Sequence, residues 1–176
     1  MKIGKTIIEE GINIIDNVKT RTTIRAVVLK GDLVLMLYSE KFNDYIFPGG
    51  GIKKGETHEE CLKRELNEEI GAKKVDVLDY IGYVEEIRHG ISGNDSVYNQ
   101  KSHYYFCDVS NLGEPSFVGR EKEDVLIAVW VEPKNVIGHN KKILRNQLHK
   151  RKGFKTVLLR ENKVLKHIMK SFSNNK

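Results

Sequence analysis

Residues 50–72 read GGIKKGETHEECLKRELNEEIGA, and the spacing within them decides how the rest of the chain is read. Gly50 is followed after five residues by Glu56, and after seven more by Arg64-Glu65-Leu66, then Glu68-Glu69 and Gly71. Glu65, Glu68 and Glu69 stand at i, i+3 and i+4, which on an α-helix puts three carboxylates on one face. Like charges so close destabilise a helix, and a hard divalent cation bound through oxygen relieves the repulsion. The alternative is a plain solvated charge face. Thr57 with Glu60 three residues on is a capping-box start for that helix. Leu62, Leu66 and Ile70, supported by Cys61, form its packing stripe, and Gly71 is placed to end it. Upstream, Phe47-Pro48-Gly49-Gly50-Gly51 predicts a strand running into a glycine loop whose backbone is open to a ligand.

Gly50, Glu56, Arg64, Glu65, Leu66, Glu68, Glu69 and Gly71 match the signature of the Nudix hydrolases, and this stretch resembles that family closely. Its one departure is Ala72, where a larger aliphatic residue is usual, and that is a packing position. The resemblance implies an α/β/α sandwich around a mixed β-sheet and a pyrophosphohydrolase that cleaves a diphosphate linkage in a nucleoside di- or triphosphate or a nucleoside-diphosphate derivative. It also implies Mg²⁺, with Mn²⁺ as a substitute, held by Glu65 and Glu69, with Glu68 binding directly or through water and a Gly50 or Gly51 carbonyl completing the shell. Arg64 and Glu56 are expected to orient those carboxylates. The general base is Glu65 or Glu68 within the motif, or Glu121 or Glu123 in the charged segment Gly119–Asp124, whose other reading is a solvated charge run. Gly49, Gly51, Tyr45 and Phe47 are candidate substrate contacts. Tyr38 and Trp130 are further aromatic candidates for stacking on a base. His58 falls on the first helical turn at a position expected to face solvent.

Outward from the motif, Thr22–Leu29 and Leu33–Tyr38 predict a hairpin about Gly31-Asp32. Tyr45–Phe47 predicts a short strand. Val75–Arg88 predicts a long strand with Gly82 as a bulge, and Lys101–Val109 and Leu126–Val131 predict two more. Residues 89–96 read as a turn-rich loop and residues 7–18 fit neither template well. Helices are expected from Pro133 to about Gln147 and, after a break at Gly153 and Phe154, on to about Phe172, with Ser171–Lys176 disordered. Short turns between the early strands disfavour a doubly wound parallel sheet.

The 176 residues suffice for one domain, 1–176, with its core at about 20–133 and a basic, mostly helical segment at 134–176. That segment carries thirteen Lys/Arg against the single acid Glu161, whereas residues 1–133 carry seventeen basic and twenty-three acidic residues. The basic segment attracts polyanions, or it is an amphipathic helix packing Val157, Leu158, Leu165, Ile168 and Met169 with its lysines in water. Nucleic acid is therefore an alternative partner to a small nucleotide, and RNA 5′-end pyrophosphohydrolysis is the alternative activity. A non-catalytic nucleotide-binding regulator is the third reading. Cys61 and Cys107 lack metal spacing and are expected buried and reduced. With no apolar run long enough for a bilayer and no signal-peptide core, a cytoplasmic protein with no membrane partner is expected. Oligomeric state has no sequence signal here.

Overall fold

The computed structural model describes residues 1–12, 18–91, 96–113, 116, 126–146 and 151–173. Five strands form one mixed sheet: β1 (Ile7–Ile8), β2 (Lys19–Val27), β6 (Gly49–Gly51), β7 (Ala72–His89) and β8 (Val97–Leu112). Their order is β1-β7-β8-β2-β6. β8 runs antiparallel to β7 and parallel to β2, and β6 pairs antiparallel with the far edge of β2. A smaller antiparallel sheet joins β3 (Leu29–Lys30), β4 (Leu33–Ser39), β5 (Asp44–Ile46) and β9 (Leu126–Val131) around β4. The hairpin turns at Gly31, in the left-handed region at φ +59°.

Alternation along the strands assigns each side chain to one of two cores. Ile24, Ala26, Val28, Leu35 and Leu37 pack against Cys61, Leu62, Leu66 and Ile70 of helix α1 (His58–Ile70). The intervening Val27, Val34 and Met36 face the other way, toward α2 (Pro133–Asn146) and α3 (Phe154–Ser173). Helices thus cover both sides of the sheets, the α/β/α sandwich expected. Fitting the period-3.6 pattern of α3, Val157, Leu158, Leu165 and Ile168 are buried, while Lys155, Lys166 and Lys170 face solvent.

Three expectations change. The glycine run is a strand: three residues without side chains give no strand signal of their own, and pairing with Thr23–Arg25 makes β6. Helix α3 runs to Ser173, so the start of the segment expected to be disordered is helical; residues 174–176 lie outside the described residues. Strand β8 begins at Val97 rather than Lys101, because polar Asn99 and Gln100 still pair with β7. The irregularity near Gly82 is present as register shifts between Val77, Tyr80 and Gly82. There the N-terminal segment crosses so closely that a Cβ on Gly82 would lie 2.6 Å from the Met1 carbonyl oxygen. Of the turn-rich stretch 89–96, residues 92–95 lie outside the described residues, as do residues 13–17.

Candidate active site

Helix α1 starts on Thr57, whose hydroxyl accepts from the Glu60 N–H while the Glu60 carboxylate accepts from the Thr57 N–H, and it ends on left-handed Gly71. Between these stops the helix buries two carboxylates, Glu65 at 5% and Glu69 at 2% exposure. Strand β6 lies against them. The Gly49 N–H donates to Glu69 Oε2 at 2.6 Å. Gly49 sits at φ +124°, and a Cβ there would meet the Ile24 carbonyl oxygen at 2.2 Å. A Cβ on Gly50 would stand 2.3 Å from Glu65 Oε1. Glycine at these two positions lets backbone and carboxylates share one small space.

Arg64 ties the motif together. Its Nε and Nη2 donate to the two Glu56 carboxylate oxygens at 2.7 and 3.0 Å, a bidentate pair. Nη1 donates to Glu65 Oε1 at 2.6 Å and Nη2 to the Gly51 carbonyl at 3.1 Å. Glu68, partly exposed, lies 3.6 Å from the same guanidinium. Arg64 therefore stands between Glu65 and Glu68, and among the described residues no three carboxylate, imidazole or thiol groups converge as a cage. The site nonetheless suits a hard cation in its chemistry. Two buried carboxylates one turn apart, a third beside them and side-chain-free backbone against Glu65 make an all-oxygen donor set.

Hydrogen bonds from Arg64, with the Lys53 N–H adding to them, hold the Glu56 carboxyl at about 2. A depressed carboxylate contributes stability that is complete above its ordinary value of 4.5 and is lost as pH falls toward about 2. Acid unfolding should therefore steepen in that window, and Glu56→Gln should flatten that part of the profile. An unchanged acid limb in the variant would show that the Arg64 pair adds nothing to stability.

A cleft of about 250 Å³ opens over the carboxylates. Glu65, Glu69 and β6 form part of its lining, with Arg21 and Arg25 from β2, Arg88 from β7, Gln100 from β8 and Arg160 from α3. Phe42, Leu126 and Phe154 add apolar surface. Beneath lies a buried ionic network. Arg160 donates to Glu86 at 2.8 Å and to Glu161 at 3.0 Å, and Arg88 donates to Gln100 Oε1 at 2.7 Å. Burial alone would raise the Glu86 pKa, but Arg160 and Arg88 outweigh it and hold the carboxyl below its ordinary value. Arg25 donates to the carbonyls of Phe47 and Gly49 and so fixes β6 against β2.

The aromatic candidates sit elsewhere. Phe47 is wholly buried and edge-on to Tyr104, because alternation along the chain turns it into the α3-side core. Tyr45 packs on Tyr38 and His139 and does not line the cleft. Trp130 lies on the edge sheet with Lys30 over its ring. His58 is not a plain surface residue: its Nδ1 is 2.8 Å from the Tyr105 hydroxyl, and its ring packs on His103. Cys61 and Cys107 are free and buried, and burial pushes each thiol up to about 12. Glu121 and Glu123 lie outside the described residues. The cleft arginines were missed by sequence reasoning. Their signal was period two: Arg21 and Arg25 alternate with Ile24 and Ala26, and Arg88 follows Val84 and Glu86 on one face of β7.

The family described as NUDIX domain matches residues 19–154. An RNA pyrophosphohydrolase of Stutzerimonas stutzeri is 43% identical over 53 residues, which cover 29% of this chain and 33% of that protein. An RNA pyrophosphohydrolase of a Nitratiruptor species is 38% identical over 64 residues, covering 33% and 41%. The matched region thus spans well under half the length of these curated relatives. A NUDIX hydrolase from Nitrosomonas europaea superposes with a TM-score of 0.53 at 15% identity, covering 81% of this chain and 88% of that one, a likeness of fold. Among the described residues no helix is long and apolar enough to cross a membrane.

Proposed function

The chain belongs to the NUDIX family, and from that premise we propose that it is a divalent-metal-dependent pyrophosphohydrolase of nucleotides. The observation that carries the reading is the pair of buried carboxylates, Glu65 and Glu69, held against side-chain-free backbone at the wall of a cationic cleft. Two desolvated like charges one helical turn apart are costly, and an active site is where such a cost is repaid. Glu65 and Glu69 would hold Mg²⁺ or Mn²⁺, which would supply neutralisation of phosphoryl charge and a more acidic water.

This chain's own residues do the positioning. Arg64 fixes Glu65 while anchoring itself on Glu56 and the Gly51 carbonyl. The Gly49 N–H fixes one oxygen of Glu69. Glu68, partly exposed on the same helix face, takes the role of proton acceptor from the attacking water. Glu68→Gln should lower turnover by about 10²–10⁴-fold with divalent-ion affinity nearly unchanged. A matching loss of ion affinity would make Glu68 a ligand instead, and normal turnover would move the base elsewhere.

A specific observation also favours RNA 5′ ends as substrate. Lys141, Lys163, Lys166, His167 and Lys170 line a groove between the N-terminal segment, α2 and α3 that has no acidic lining residue. The curated relatives are named RNA pyrophosphohydrolase. Neutralising Lys141, Lys166 and Lys170 together should weaken RNA binding and flatten its salt dependence, with stability intact. An unchanged salt slope would remove the groove from the account. The functional reading itself is tested by a panel of nucleotides, nucleotide conjugates and 5′-triphosphorylated RNA with Mg²⁺ or EDTA, scoring released phosphate and pyrophosphate. Metal-dependent cleavage of at least one is expected. Nucleotide binding without cleavage of any would favour a non-catalytic regulator.

A further inference from the structure

Where α1 begins, the sheet face that it packs on carries five rings that the cleft does not use. His58, the first residue of the helix, packs on His103 and Tyr105 of β8. Across the strand pair, Tyr83 stands opposite His103 and Tyr80 opposite Tyr105. Tyr80 and Tyr83 are three residues apart, a spacing that on a regular strand sends side chains to opposite faces. The register shift between Tyr80 and Gly82 restores both to one face. By the same alternation Gln100 and Arg88 point to the other face, toward the cleft.

These rings are held in place and still reach water. The Tyr80 hydroxyl lies 2.9 Å from His103 Nδ1, and the Tyr105 hydroxyl 2.8 Å from His58 Nδ1. Tyr80 and Tyr83 flank His103 at centroid distances of 5.9 and 5.4 Å, tilted from it by only 27° and 30°. Tyr80 is 41% exposed, and Tyr83 and His103 are half-buried. The Lys101 ammonium lies 5.8 Å from the centre of the Tyr83 ring. Burial, then His58 and Lys101, push His103 down to about 4, so at neutral pH it presents an uncharged ring. Glu85, the acid nearest Lys101 on β7, is taken up by Lys2 and the Thr6 hydroxyl.

Fixed, near-parallel rings beside a cation suit a ligand with flat π faces and a negative backbone. Unpaired nucleobases on a phosphodiester chain have both, and bases stack on aromatic side chains whatever their sequence. We propose that Tyr80, Tyr83 and His103, with Lys101 beside them, form a stacking platform for unpaired bases of single-stranded RNA. The inference rests on the RNA alternative of the proposed function and on neither metal nor turnover. It differs from the basic groove at α2 and α3, which offers charge without a ring platform.

Fluorescence anisotropy of the full chain with a labelled oligouridylate, in EDTA, isolates binding from cleavage, and an abasic oligomer of equal length is the probe without bases. Wild type should bind the oligouridylate about fivefold more tightly or better. Tyr80→Leu/Tyr83→Leu keeps apolar bulk and removes the rings, so it should fold, lose that preference, and bind the abasic oligomer as wild type does. Its salt slope should not change, because stacking releases no counterions. Tyr80→Phe should keep the preference. Equal binding of the two oligomers by wild type overturns the platform while leaving RNA binding through the groove. An undiminished preference in the Leu variant also overturns it, as does a wild-type dimer that the Leu variant dissolves, which would make this face a contact between two copies. Binding of neither oligomer removes RNA and the platform together. Ring-dependent binding with no turnover of any substrate leaves the platform standing and sinks the hydrolase reading alone.

Discussion

Glu69→Gln is expected to fold normally and to lose turnover by at least about 10²-fold, the upper range for losing even an indirect partner of a metal site. Glu69 is 2% exposed, and one of its oxygens accepts the Gly49 N–H. Glutamine keeps the size and an oxygen acceptor for that bond while removing the charge that a cation needs. It also removes repulsion with Glu65, one turn earlier, so the melting temperature should hold or rise. Thermal unfolding and turnover on the same preparation check both halves. Near-normal turnover at limiting Mg²⁺ would show that Glu69 is not a ligand.

The second large effect is on stability. Glu86→Gln removes the charge from a fully buried carboxylate that accepts from Arg160 at 2.8 Å and lies beside Arg88. Breaking one side of a buried ion pair costs about 3–5 kcal/mol, because the remaining charge is left in a poor solvent. Glu161 still pairs Arg160, so the lower end of that range is expected. Urea unfolding measures it. The exposed Lys63–Glu59 pair on α1 provides the contrast, where Lys63→Ala should leave the urea midpoint nearly unchanged. Equal losses at the two sites would mean that the buried network contributes no more than a surface pair.

The difference between what was legible in the sequence and what was not follows the range of the interactions. Helix α1 is local: Thr57, Glu60 and Gly71 are caps within a single helix, and all three act as their spacing indicates. Strands β4 and β9 carry unbroken apolar runs and sit close to where those runs predict. The cleft is non-local. Glu86 meets Arg160 across 74 residues, and Arg21 meets Gln100 only through the parallel register of β2 and β8. Nothing in a one-dimensional pattern aligns those pairs. The same gap explains Arg160 and Glu161, which belong to a basic segment that reads as solvated yet are buried against β7. Phe47 misleads in the opposite sense. An aromatic beside three glycines looks available to a ligand, and strand alternation instead seals it in the core.

The proposed hydrolase depends on Glu65 and Glu69 holding a divalent cation at the wall of this cleft. Titration of Mn²⁺ into wild type and the Glu65→Gln/Glu69→Gln double variant, following free Mn²⁺ by electron paramagnetic resonance, tests it without any substrate. Wild type should retain Mn²⁺ that Mg²⁺ displaces, and the folded double variant should lose at least about 90% of that affinity, as removal of even an indirect partner of a metal site can do. Mn²⁺ binding that is equal in the two proteins would contradict the account.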